Sequence, residues 1–184
     1  MPRRQILTDR QRSALLDLPT EEASLLRFYT LADDDLEHIH QRRRPENRIG
    51  FALQLCALRY PGRLLQPGEL IPLQILRFLG AQLGLPEEAL LDYARRRQTR
   101  YQHSAELQEI YGFRSFEENV RREMVRWIGE AAENALSNED LACRFVKECR
   151  HNKIILPAVT TIERLCADAL VDAERRISCA LPPR

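Results

Sequence analysis

An all-α fold is predicted, and three observations predict it. Apolar residues recur at three- and four-residue intervals in segment after segment. Helix-starting and helix-ending residues punctuate those segments. Strand-like alternation is confined to the short run from Lys153 to Leu156. The expectation is a multi-helix chain of about nine helices, arranged in helix-turn-helix-like units.

The elements follow in order. Thr8 with Gln11 makes a capping-box start, and Pro19 stops the first helix. Thr20 is expected to cap a short second helix carrying Leu25, Leu26 and Phe28. Asp33, Asp34 and Asp35 crowd the start of a third helix and Arg42, Arg43 and Arg44 its end, the order that the helix dipole favours. Pro45 fits the first turn of a fourth helix. Its apolar residues form two stripes, Ile49, Ala52, Leu53, Cys56 and Tyr60 on one and Phe51, Leu55 and Leu58 on the other, so it is expected to be buried from most sides. Pro72 opens a fifth helix and Gly84 closes it in the left-handed conformation. Pro86, Glu87 and Glu88 start a sixth, which runs into Arg95, Arg96 and Arg97. A bend is expected near Gln98 and Thr99, before a helix to Tyr111 capped by Gly112. Ser115 starts the seventh, with Phe116, Val120, Met124 and Trp127 or Ile128 at helical spacing; Ser137 caps the eighth, which ends near His151. Pro157 opens a long last helix with Ile162, Leu165, Cys166, Ala169, Ala173 and Ile177 on one face. The glycines and proline between Gly62 and Ile71 read as a linker. The expected division is therefore a first subdomain over 1–62, a linker over 63–71 and a second subdomain over 72–184.

Composition narrows the function classes. With 184 residues, 44% of them hydrophobic, the chain can build one fair-sized core or two small ones. The net charge is only +1, so no global basic field advertises a polyanionic partner; any such contact must be local. Of the 28 basic residues only Lys147 and Lys153 are lysines, leaving 26 arginines. Arginine binds phosphate and guanine edges in a bidentate way that lysine cannot; a GC-rich coding sequence accounts for the same bias equally well. The five cysteines are odd in number and follow no apolar leader, and no stretch approaches the ~20 apolar residues of a membrane span. A reducing cytoplasm is the expected compartment. Cys143 and Cys149 with His151 lack the CxxC spacing of a zinc knuckle and fall on different helix faces, so they read as buried or idle thiols.

No catalytic set is legible. The chain has no GxxxxGK[ST] or GxGxxG phosphate loop, no HExxH and no GxSxG. Asp33, Asp34 and Asp35 are consecutive helical residues about 100° apart, so they do not converge on one ion; His38 and His40 diverge for the same reason. No metal and no cofactor is expected.

Local arginine clusters remain. Arg42, Arg43, Arg44 and Arg48 surround the start of the fourth helix, and Asn47 and Arg48 lie in its first turn, where a recognition helix meets base edges or phosphates. The segment from Asp35 to Tyr60 has the outline of a helix-turn-helix, with Leu36 and Ile39 against Ile49 and Leu53. The plainer reading is two antiparallel core helices with a solvated basic corner. A second cluster, Arg95, Arg96, Arg97, Arg100, Tyr101 and His103, interleaves basic groups with an aromatic, as a phosphate-backbone surface does. A third, Arg114, Arg121, Arg122 and Arg126, is offset by Glu117, Glu118 and Glu123 and reads as a solvated helix face.

Longer stretches carry a resemblance. MPRRQIL, LLRFYTL and RRRPENRIGFALQLCALRYPGRLL, then YARRRQTRYQHSAELQEIYGFRSF and NKIILPAVTTIERLCADALVDAERRI, resemble in order and spacing the N-terminal region of replicative transposases of the Tn-three family. The resemblance runs from Met1 to about Ile177. It implies a helical region that recognises double-stranded DNA at a transposon's terminal inverted repeats, in a bacterial, nucleoid-associated protein. Catalysis in that family belongs to a larger C-terminal part with an acidic triad and magnesium, so no triad residue is carried over. The DNA-facing candidates become Arg3, Arg4, Arg42, Arg43, Arg44, Asn47, Arg48, Arg95, Arg96, Arg100, Tyr101 and His103. Two other expectations stand beside this one. The last helix could dock on the transposase catalytic region or on a second protomer, and the chain could act as a regulator that occupies transposon ends without cutting.

Overall fold

A computed structural model describes residues 6–66, 68–86, 88–89 and 97–180, with backbone alone at 97, 98, 100, 177 and 180. Among the described residues it is all-helical, with nine α-helices and no strand. These are α1 (Asp9–Leu16), α2 (Glu22–Phe28), α3 (Asp33–His40), α4 (Pro45–Arg59), α5 (Leu73–Leu83), α6 (Arg97–Tyr111), α7 (Glu118–Ala131), α8 (Asn138–His151) and α9 (Val159–Ala180), with a short 3-10 turn at Ala132–Asn134. No described helix is long and apolar enough to cross a membrane.

Two compact units make up the chain. One is Leu18–Phe113; the other joins Met1–Asp17 to Arg114–Arg184. The expected linker over 63–71 thus falls inside a unit. The reason is the packing of α5 back onto α4. The Gln82 side chain also ties α5 to the chain between α2 and α3. Its carbonyl accepts from Leu31 N at 2.8 Å, and its amide donates to Tyr29 O at 3.1 Å.

In the Leu18–Phe113 unit α4 is the centre. Every residue from Ile49 to Leu58 is buried, as a helix apolar on both stripes requires, and α3, α5 and α6 cover it. Tyr29 is fully buried and donates its hydroxyl to Tyr60 O at 2.9 Å. Phe28 stacks on the Tyr60 ring at 4.4 Å. Gly84 takes φ +63 to end α5, which turns Leu85 O back against Gly80. A Cβ at Gly80 would lie 2.6 Å from that oxygen, so this turn needs both glycines.

The second unit packs α7, α8 and α9 around Phe145, Ile128, Met124, Ile162, Leu165 and Cys166. Its link to the start of the chain is Glu163, 6% exposed. That carboxylate accepts from Leu7 N at 3.2 Å and from Arg12 Nε and Nη2 at 3.1 and 2.8 Å. The run from Lys153 to Leu156 forms a single bridge, Arg114 to Ile154, rather than a strand. Cys56, Cys149 and Cys166 are buried free thiols, and burial pushes each up to about 12.

Several helix starts shift from their expected places. The capping box at Thr8 and Gln11 forms, Pro45 opens α4, and Ser137 caps α8 through Asp140 N. Thr20 caps nothing, because α2 begins at Glu22. The seventh helix begins at Glu118 rather than Ser115, and the last at Val159 rather than Pro157. Helix α6 runs unbroken through Gln98 and Thr99. The expected sixth helix from Pro86 lies largely outside the described residues.

Candidate nucleic-acid interface

The first arginine cluster sits where α3 turns into α4. Asp35, at the start of α3, is 2% exposed and accepts from Arg59 Nη1 and Nη2, at the end of α4, at 2.9 and 2.7 Å. It also accepts from Tyr111 Oη at 3.0 Å and from Ala32 N at 2.8 Å. Burial alone would raise the Asp35 carboxyl. The hydrogen bonds from Arg59 and Ala32, the Arg59 charge and the Tyr111 hydroxyl outweigh burial and hold it below the usual carboxylate range.

These contacts fix helix directions. His103 meets the Phe51 ring edge-on at 5.2 Å, and the Arg59 guanidinium lies 5.7 Å from the Tyr111 ring. The spacing is eight residues on both α4 and α6, so the two helices run the same way. Arg42 pairs with Glu106 and Asp35 with Tyr111, so α3 runs against them. The segment Asp35 to Tyr60 is therefore a helical hairpin tied by α6, with Ile39, Ile49 and Leu53 in its core.

At the tip of the hairpin the four arginines differ. Arg43 and Arg44 are exposed. Arg43 has no acidic partner among the described residues, and Arg44 lies 3.8 Å from Glu46, a loose pairing. The Arg42 side chain is 17% exposed; its Nη2 is 2.7 Å from Glu106 Oε2 and its guanidinium lies 4.2 Å over the Phe51 ring. Arg48 is half-buried and donates its Nε to Arg42 O at 2.8 Å. Asn47 is half-buried, and its Oδ1 is buried with no hydrogen-bond partner among the described residues.

Of the second cluster, the structure describes the side chains of Tyr101 and His103 alone. His103 is 4% exposed, and burial together with the nearby Arg42 charge lowers it from 6.5 to about 4. It is neutral near pH 7 and supplies no cation to a phosphate. Tyr101 is 77% exposed and lies about 160° around α6 from His103, away from the packed face. The backbone of Arg100 is helical. Arg3, Arg4, Arg95 and Arg96 lie outside the described residues. In the third cluster Arg114 pairs with Glu123 at 2.9 Å and Arg122 with Glu118 at 3.2 Å, as a solvated helix face does.

Sequence reasoning did not single out Glu106 or Phe51. Both contact Arg42, Glu106 from α6 and Phe51 from α4. Among the described residues no group of three His, Cys, Asp or Glu side chains gathers as a metal set.

Residues 6–169 match the family described as domain of unknown function (DUF4158). The chain is 43% identical over 181 residues to the transposase for transposon Tn3926 of Escherichia coli. It is 41% identical over the same length to the transposase for transposon Tn21 of Escherichia coli, and 37% to that for transposon Tn501 of Pseudomonas aeruginosa. Each alignment covers 98% of this chain but 18% of the relative, so the chain spans less than a fifth of these relatives' length. With a family match over most of its residues, the chain belongs to the DUF4158 family, in a stretch that it shares with transposases of the Tn-three family.

Proposed function

We propose that this chain is the sequence-specific DNA-binding region of a bacterial transposase, that it recognises transposon terminal inverted repeats, and that the cutting and joining chemistry belongs to another part of the transposase. The observation that carries this reading is the tip of the α3–α4 hairpin. In a nearly neutral chain, Arg43 and Arg44 stand exposed beside the half-buried Arg48, in a stretch shared with transposases. Phosphate contacts by Arg43 and Arg44 supply affinity, and Arg48 and Asn47 read bases from the first turn of α4. Arg3, Arg4, Arg95, Arg96, Arg100 and Tyr101 are the further contact candidates, each named from sequence; His103, buried and neutral, supports the fold of its unit instead. Fluorescence anisotropy with a duplex carrying the terminal inverted repeat of Tn3926 and with a shuffled duplex tests the reading. Tight, salt-sensitive binding to the repeat alone is expected.

A second reading, a protein-interaction module, draws on the other unit. The apolar face of α9 that sequence suggested for docking is already occupied, since Ile162, Leu165, Cys166, Ala169 and Ala173 lie in the core. A groove of about 810 Å³ remains, lined by Val125, Ile128, Leu165, Ala169, Arg126 and Arg175 among others. Light scattering separates the readings: a monomer that binds repeat DNA supports the first, and a stable dimer without DNA affinity supports the second.

A further inference from the structure

We infer that Glu106 and Arg42 are positioning residues, which act through Arg48 by holding its guanidinium in the pose that meets DNA. This inference rests on the DNA-binding reading above. Arg42, central in a run of arginines, has the composition of a phosphate contact but not the geometry of one. Its Nη2 is ion-paired with Glu106 Oε2 at 2.7 Å, by charge and proximity rather than by an aligned hydrogen bond, its planar face lies on Phe51 at 4.2 Å, and its Nε is buried with no hydrogen-bond acceptor among the described residues. With its side chain 17% exposed, it presents little of its guanidinium to a phosphate. What Arg42 presents to the tip is its backbone carbonyl, which accepts the Nε–H of Arg48 at 2.8 Å.

That bond constrains the Arg48 side chain at its Nε and leaves its two terminal nitrogens without a partner among the described residues. Those nitrogens form the fork that reads guanine or grips a phosphate. The order of support is then Glu106 on α6, Arg42 in the turn, and Arg48 on α4. An acid beside a DNA-facing turn works against binding through its charge. Orientation of the turn accounts for its presence, because a contact group must be held close to its productive geometry.

The sign of one substitution separates orientation from charge. Glu106→Gln removes a negative charge, so a purely electrostatic role predicts tighter DNA binding. The positioning role predicts weaker binding, by about three- to tenfold on the Tn3926 repeat duplex, with an unchanged slope of log K against log salt. The same substitution placed in an Arg48→Ala background is expected to cost nothing further, which a general loss of fold would not reproduce. Equal or tighter binding by Glu106→Gln overturns the inference, and so does a loss of the same size in both backgrounds. A parent chain that binds no repeat DNA removes the functional reading itself, a failure seen before any variant is compared.

Discussion

Replacing Asp35 by Ala is expected to destabilise the Leu18–Phe113 unit by about 3 kcal/mol. Four donors lose their acceptor: two from Arg59, one from Tyr111 and one from Ala32 N. Breaking a fully buried pair costs about 3–5 kcal/mol. Here the Arg59 side chain is 30% exposed and regains some water, which lowers its share to about 2 kcal/mol. The lost cap on α3 adds about 1 kcal/mol. Native-state hydrogen exchange along α4, from Phe51 to Ala57, reads the effect as a fall of roughly 150-fold in protection. The pH dependence gives a second readout. The folded carboxyl is depressed, so its stabilisation is present above the unfolded value of 3.8 and is lost as pH falls through the lower folded value. Asp35→Asn is expected to flatten that acid limb. A protection loss under about 1 kcal/mol, or an acid limb identical in the two proteins, refutes the assignment of Asp35 as the knot of this unit.

Other expectations concern separate features. Glu163→Ala is expected to cost about 3 kcal/mol and to strip protection from the Leu7 and α1 amides first, because that carboxylate alone accepts from both Leu7 N and Arg12; unchanged exchange in α1 contradicts it. The double variant Arg43→Ala, Arg44→Ala is expected to lower the salt slope of DNA binding by about two, read by anisotropy from low to moderate salt; an unchanged slope removes both residues from the contact surface. His103, depressed from 6.5 to about 4, stays unprotonated in the folded protein where the unfolded chain takes up a proton. Stability is therefore expected to fall as pH drops from 6.5 towards 4, a window above that of Asp35, and His103→Gln is expected to remove that slope in urea titrations.

Much of the fold was legible in local chemistry. Thr8 and Gln11, Pro45, Gly84 and Ser137 act within one turn of the chain, so residue type alone sets their roles. The burial of α4 was legible too, because apolar residues on both stripes leave no polar face to turn outward. The division into units was not legible. It depends on Glu163 meeting Leu7 and Arg12 across more than 150 residues, and on the Gln82 side chain choosing backbone partners near Tyr29. Thr20 and Ser115 are good caps by type, yet the chain started both helices later.

At the candidate site the limit was the same. Residue type marked Arg42 to Arg48 as a basic turn, and the exposure of Arg43 and Arg44 fits that reading. Type could not separate Arg42 from its neighbours, because the carboxylate and the ring that hold it come from Glu106 and Phe51. Nor could it show that His103 packs on that same ring and stays neutral.

The measurement that bears most directly on the DNA-binding account is a salt titration of the intact chain on duplexes carrying the terminal inverted repeats of Tn3926, Tn21 and Tn501, each beside a shuffled duplex of equal composition. The account predicts that at least one repeat is bound about 10³-fold more tightly than its shuffled partner at moderate salt, with log K falling linearly in log salt. Equal affinity for every repeat and its shuffled duplex, or no binding to any of them, contradicts it.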